Sequence, residues 1–151
     1  MLKKLFAPGN DSALTSFGLL ALRLFFGLTM LLHHGVDKLT KFNDMASSFP
    51  DPMKVGHTAS LALTVFAEVI AAGLLAVGLF TRFAALVLAF EMAVAFICVH
   101  QMKLSGEMPG EFAFIYFGAY FTLLIAGGGS MSLDKVMFGL GSKKSGWARK
   151  N

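Results

Sequence analysis

Apolar residues along this chain gather into four long runs separated by short polar breaks. Each run has the length of a bilayer-crossing helix, since a rise of 1.5 Å per residue needs about 20 residues for a hydrocarbon core roughly 30 Å thick. The first run covers about 14–34 and the second about 58–80. The third, about 83–100, is separated from the second only by Thr81 and Arg82, so the two form an antiparallel hairpin. The fourth, about 112–126, ends at Gly127, Gly128 and Gly129, which read as a helix stop and not as a phosphate loop, since no lysine follows at the required spacing. Between the first two runs, Val36, Leu39, Phe42, Met45, Ala46 and Phe49 recur at spacings of three and four with charges interleaved. This pattern predicts an amphipathic helix over about 36–49, lying on the membrane surface and stopped by Pro50 and Pro52. The expected fold is an all-α membrane protein: four transmembrane helices in an antiparallel bundle plus one interfacial helix between the first and second spans. The whole of 1–151 is expected to form one domain, with a polar, basic tail over 130–151.

Composition agrees with this pattern. Of 151 residues 56% are hydrophobic, the mean hydropathy is +0.67, and 15% are charged, against about 25% in ordinary soluble domains. Sixteen Phe and nine Met leave too little polar surface to wrap a soluble globule. The net charge of +4 does not come from basic residues interleaved with aromatics on a polar face, which argues against a nucleic-acid partner. Cys98 stands alone, so neither an intrachain disulfide nor a CxxC redox pair is available. The apolar run after Lys3 and Lys4 has no small-x-small cleavage site and is expected to be retained. With four spans, eight Lys and Arg fall on the side of the termini and four on the other, so both termini are expected in the cytoplasm and the protein in the inner membrane.

Three ionisable residues interrupt the apolar runs: Arg23, Glu68 and Glu91. Counted along their helices from the cytoplasmic side, they lie about 13, 18 and 13 Å deep. A charge at mid-bilayer costs roughly 3 kcal/mol or more, so the three are expected to share one interior cluster. That cluster either bolts the bundle together or forms a polar pocket for a quinone head group or a proton path. His33, His34, His57 and His100 all fall at the opposite membrane boundary. Imidazole suits metals, but no HxxxH or HxxE spacing appears, so ordinary hydrogen bonding there competes with haem, copper or quinone contact, and no metal site is assigned. Tyr116 and Tyr120 share a face of the fourth helix, where their hydroxyls either reach the polar interior or bond the backbone. Ala67, Ala71, Ala72, Gly73, Ala76 and Gly78 mark a face for close helix packing, within one chain or between copies in a homo-oligomer.

Three stretches together resemble a known family. Leu22-Arg23-Leu24, Gly27, His34-Gly35 and Lys38-Leu39 are similar to the opening signature of the DoxX family. Ala67-Glu68, Gly73, Gly78-Leu79 and Thr81-Arg82 resemble its central signature, and Gly127-Gly128-Gly129 with Ser132-Leu133-Asp134 its closing segment. The resemblance implies a four-helix membrane bundle and a link to quinone-dependent oxidation, and it points to Arg23, His34, Lys38, Glu68 and Arg82. Glu91 and His33 lie outside the signature. The leading expectation is a membrane redox component with a quinone pocket. Arg23 would orient a quinone oxygen, Glu68 or Glu91 would exchange its proton, and a partner protein would supply electrons, since no flavin or nicotinamide fingerprint is present. The alternatives are a non-enzymatic binding or assembly subunit and a small proton-coupled transporter.

Overall fold

The computed structural model describes residues 12–106 and 109–139. Lys3, Lys4 and the basic residues Lys143, Lys144, Arg149 and Lys150 lie outside the described residues. Among the described residues the chain is all helical. Helix α1 runs Ala13–Thr40, α2 Phe42–Met45, α3 His57–Val77, α4 Thr81–Val99, α5 Glu111–Ala126 and α6 Leu133–Phe138. Three of these, α1, α3 and α4, are long and apolar enough to cross a membrane; α5 is apolar but shorter.

Helix ends follow local chemistry. Ser12 caps α1 by accepting the Thr15 N–H at 3.2 Å. Gly78 ends α3 in the left-handed region at φ 76°, and no other residue fits there: a Cβ would collide with the Arg23 guanidinium. Phe80 and Thr81 then open α4, their N–H groups held by the Asp134 carboxylate at 2.7 and 2.9 Å.

The long helices close a ring. α1 packs on α3, α3 on α4, α4 on α5, and α5 returns to α1. The small-residue face of α3 is the seam expected of it: a Cβ at Gly27 of α1 would lie 3.1 Å from Ala72 and Ala76. Tyr120 completes the ring by donating its hydroxyl to the Phe26 carbonyl at 3.2 Å. The core is lined by Ala71, Ala72, Leu75, Ala84, Leu88 and Leu123, all essentially buried.

One segment differs from the sequence-based expectation. No separate helix spans 36–49. α1 continues without a break to Thr40, the chain bends at Lys41, and only Phe42–Met45 forms a further turn. The continuation is held because Gly35 touches the α3 backbone: a Cβ there would come within 2.6 Å of the Glu68 carbonyl oxygen. The start of the polar tail after Ser130 docks on the bundle. Ser132 and Asp134 are buried, and the Asp134 N–H donates to Gly78 O at 2.9 Å. Each of α1, α3 and α4 also contains a widened π-helical turn, at Met30–Gly35, Phe66–Ala71 and Ala95–Val99. Such turns re-aim side chains and recur at functional sites.

Candidate functional site

The expected cluster of Arg23 with two glutamates does not form. Arg23 is fully buried, and its Nη1 and Nη2 donate to the carbonyls of Ala76 at 3.4 Å and Met131 at 2.8 Å. Its guanidinium lies against Gly78, ten residues beyond Glu68 and therefore about 15 Å along α3. The cause is the direction of side chains on a helix. The Cα–Cβ bond tilts towards the helix N-terminus, so the Arg23 stem runs back towards the start of α1. There it meets the end of α3, the Ser132 segment and the field of Asp134.

The same rule carries Lys38 inwards. It sits near the far end of α1, so tilting back towards the N-terminus points it into the bundle. Its Nζ lies 2.8 Å from both Glu68 Oε1 and Oε2. The ammonium is partly shielded and the carboxylate nearly buried, with 18% and 5% of the side chains exposed. The π-helical turn Phe66–Ala71 presents Glu68 at this point, and the contact at Gly35 brings the two helices close enough for the pair to close.

Glu91 faces the same place from α4 and feels the charges of Glu68 and Lys38. Both its carboxyl oxygens are buried and find no hydrogen-bond partner among the described residues. Such a group is expensive unless a proton, a water or a ligand satisfies it. Lys38, Glu68 and Glu91 form the polar end of a cavity of about 380 Å³ whose remaining walls are almost wholly apolar, built from Ala67, Val87, Val94 and Ala95 among others. Phe49, Pro50, Pro52 and Met53 roof it.

The roof is tied to α3 by polar contacts. The Asp51 carboxylate accepts from Ser60 Oγ at 2.7 Å and from the N–H groups of Gly56 at 2.8 Å and Val55 at 3.0 Å. The Ser60 hydroxyl, followed by the two N–H groups and the nearby His57, holds this carboxyl below the usual aspartate range. The His57 Nδ1–H donates to the Phe49 carbonyl at 2.6 Å, and the Thr58 hydroxyl to Ala46 O at 3.2 Å.

The other expected site residues lie apart from this cavity. His34 meets Tyr116 edge-on, with ring centres 6.1 Å apart. Tyr116 and Tyr120 pack against Phe26, at 5.1 and 6.4 Å. None of the three lines the cavity. His33 is exposed on the π-helical turn of α1, and Gly110 packs against His100. Among the described residues no group of three or more His, Cys, Asp or Glu is placed to hold a metal ion. Sequence reasoning gave Asp134 no role, although Ser132-Leu133-Asp134 had been singled out. It also missed Asp51, whose signal was a carboxylate between two prolines shortly before a helix start.

A family model described as DoxX matches residues 18–101, more than half of the chain and the part that carries Arg23, Lys38, Glu68 and Glu91. No curated protein and no solved structure matches the chain.

Proposed function

The chain belongs to the DoxX family, and on that premise we propose that it is a quinone-linked redox component of the membrane that works with an electron-donating partner protein. The observation that carries this is the unpartnered Glu91 carboxyl at the polar end of an apolar cavity. A ligand that is mostly apolar with one or two polar oxygens matches those walls, and a volume of about 380 Å³ falls within the usual range of about 300–1,000 Å³ for ligand pockets. The role expected of Arg23 moves to Lys38. An ammonium has three N–H donors. Two are directed to Glu68, which leaves one for a ligand carbonyl. Glu68 neutralises Lys38, so Glu91 is the acid–base group free to exchange a proton with the ligand oxygen. Conversion of a quinone to its quinol takes two electrons and two protons. The electrons enter from the partner's redox group, the first proton passes through Glu91, and the second follows after Glu91 is reprotonated.

In this proposal α1, α3, α4 and α5 all cross the inner membrane, both termini are cytoplasmic, and 1–151 is one domain. The bend at Lys41 and α2 lie at the outer surface. The test is binding of a benzoquinone and its quinol to the full-length protein in lipid nanodiscs, with Glu91→Gln alongside. Micromolar or tighter binding that weakens in Glu91→Gln is expected. Absence of binding, with a stable partner recovered, would favour the assembly subunit. Absence of binding with proton-driven uptake into vesicles would favour the transporter.

A further inference from the structure

Three cavity-lining residues on α3 and α4 are also exposed on the outside of the bundle, Leu63 at 52%, Phe66 at 45% and Phe90 at 58%, as are Pro50 and Met53 of the roof. A side chain that both walls a cavity and faces outwards marks its mouth. Leu63, Phe66 and Phe90 put one mouth between α3 and α4, away from the roof residues. Phe66 is nine residues from the start of α3, and Phe90 nine residues from the start of α4, which runs the opposite way. Each is thus about 13 Å from its own end of the bundle, so the mouth sits at mid-depth of the apolar belt. The end nearest water is covered by Phe49, Pro50, Pro52 and Met53, pinned by Asp51 to Ser60.

We infer that the site is loaded sideways from the bilayer, by an amphiphile whose polar ring reaches Lys38 and Glu91 while its apolar tail leaves between Phe66 and Phe90 into the lipid. The inference rests on the quinone assignment and narrows it to lipid-borne quinones with a hydrocarbon tail. The geometry gives each part of the ligand a place. The ring lies in the pocket, whose charged groups are Lys38, Glu68 and Glu91 and whose other polar side chains are the hydroxyls of Ser60 and Thr64. The tail needs no enclosing wall, because lipid is as apolar as Phe66 and Phe90 themselves. A water-borne ligand would have to pass the aromatic and proline roof.

The test compares two benzoquinones with the same ring, one with a ten-carbon tail and one without, on the full-length protein in nanodiscs. Each is titrated against wild type, Phe90→Trp and Phe66→Trp, which narrow the mouth without touching the polar end. The ratio of variant to wild type for one ligand cancels its partition into lipid. Narrowing is expected to weaken the tailed quinone about tenfold and to leave the tail-less one within about twofold. If neither variant shifts the ratio for the tailed quinone, or both ligands weaken equally, lateral loading is overturned while the quinone assignment stands. If wild type binds neither ligand, the quinone assignment falls and the portal with it. Replacing Asp51 by Ala to loosen the roof should leave the association rate of the tailed ligand unchanged, and a rise of about tenfold or more would route entry through the roof instead.

Discussion

The two ends of the bundle each bury a cation, and they treat it in opposite ways. At one end the Arg23 guanidinium is spent on the Ala76 and Met131 carbonyls, next to an Asp134 carboxylate that is itself spent on the N–H groups of Phe80 and Thr81. Nothing there opens onto the cavity. At the other end Lys38 and Glu68 pair with each other, and the neighbouring Glu91 carboxyl lies at a cavity wall without a hydrogen-bond partner among the described residues. Both ends look alike as charges in an apolar sequence. What separates structure from function is how the bonding capacity is used: backbone partners make the first end a clasp, and unused donors and acceptors beside a cavity make the second a site. The clasp has its own loose end in Arg23 Nε, which is buried without a partner among the described residues, but Arg23 does not line the cavity that Lys38, Glu68 and Glu91 share.

The largest effect is expected from breaking the clasp. Arg23→Ala orphans two buried carbonyls and removes the cation near Asp134, a loss of about 3 kcal/mol of stability. Reversible unfolding in mixed micelles should show it, and the protein that remains folded should bind quinone as wild type does. Unchanged stability with lost binding would exchange the roles of the two ends. The next effect is at the Lys38–Glu68 pair. Lys38→Met leaves a nearly buried carboxylate unpaired and should cost about 2 kcal/mol. Adding Glu68→Gln should restore much of that, giving a coupling energy of about 1–2 kcal/mol in a double-mutant cycle. Additive losses would mean that the pair contributes little to holding α1 on α3.

Glu91 sharpens the contrast further, because stability and binding should move in opposite directions. Glu91→Leu removes a buried carboxyl that has no protein partner to lose and fits the apolar walls. Stability should rise by up to about 1 kcal/mol, while quinone affinity falls about tenfold, the loss of one ligand hydrogen bond. A drop in stability would show that Glu91 is a bolt like Arg23.

The helices were legible because apolar run length and two-residue joints report bilayer-sized hairpins directly. α3 and α4 begin and end within three residues of the expected 58–80 and 83–100. The partner of Arg23 was not legible from depth alone. Depth was counted at Cα, whereas the side chains of Arg23 and Lys38 leave α1 in its N-terminal direction, outwards for one and inwards for the other. That rule is local, so it was available from the sequence once both ends of α1 were known. The Asp134 clasp was out of reach for a different reason: it joins positions 53 and 54 residues apart in the chain, and no periodicity records such a contact. The continuation of α1 through 36–40 was hidden by an amphipathic pattern that suits a surface helix equally well. Only the contact of Gly35 with the Glu68 backbone decides between them.

The smallest expected effect concerns the roof that lies between water and the site. Asp51 accepts the Ser60 hydroxyl and two backbone N–H groups as a carboxylate, and these bonds hold its pKa below the usual value. A carboxyl with a lowered folded pKa contributes stability that is complete above the ordinary aspartate pKa of about 4 and is lost as pH falls through the lower folded value. Hydrogen exchange of the Val55 and Gly56 amides should therefore be protected at neutral pH and lose protection in acid, beyond the intrinsic dependence of exchange on pH. Asp51→Asn should flatten that extra dependence, because its side chain keeps an acceptor oxygen but cannot titrate. Arg23 keeps its charge over that range and its carbonyl partners do not titrate. If Asp51→Asn removed the acid loss of protection around Gly78 as well as at 46–56, the roof would be coupled to the whole bundle instead of moving on its own, and the division between a closed clasp and an adaptable site would fail at its mobile edge.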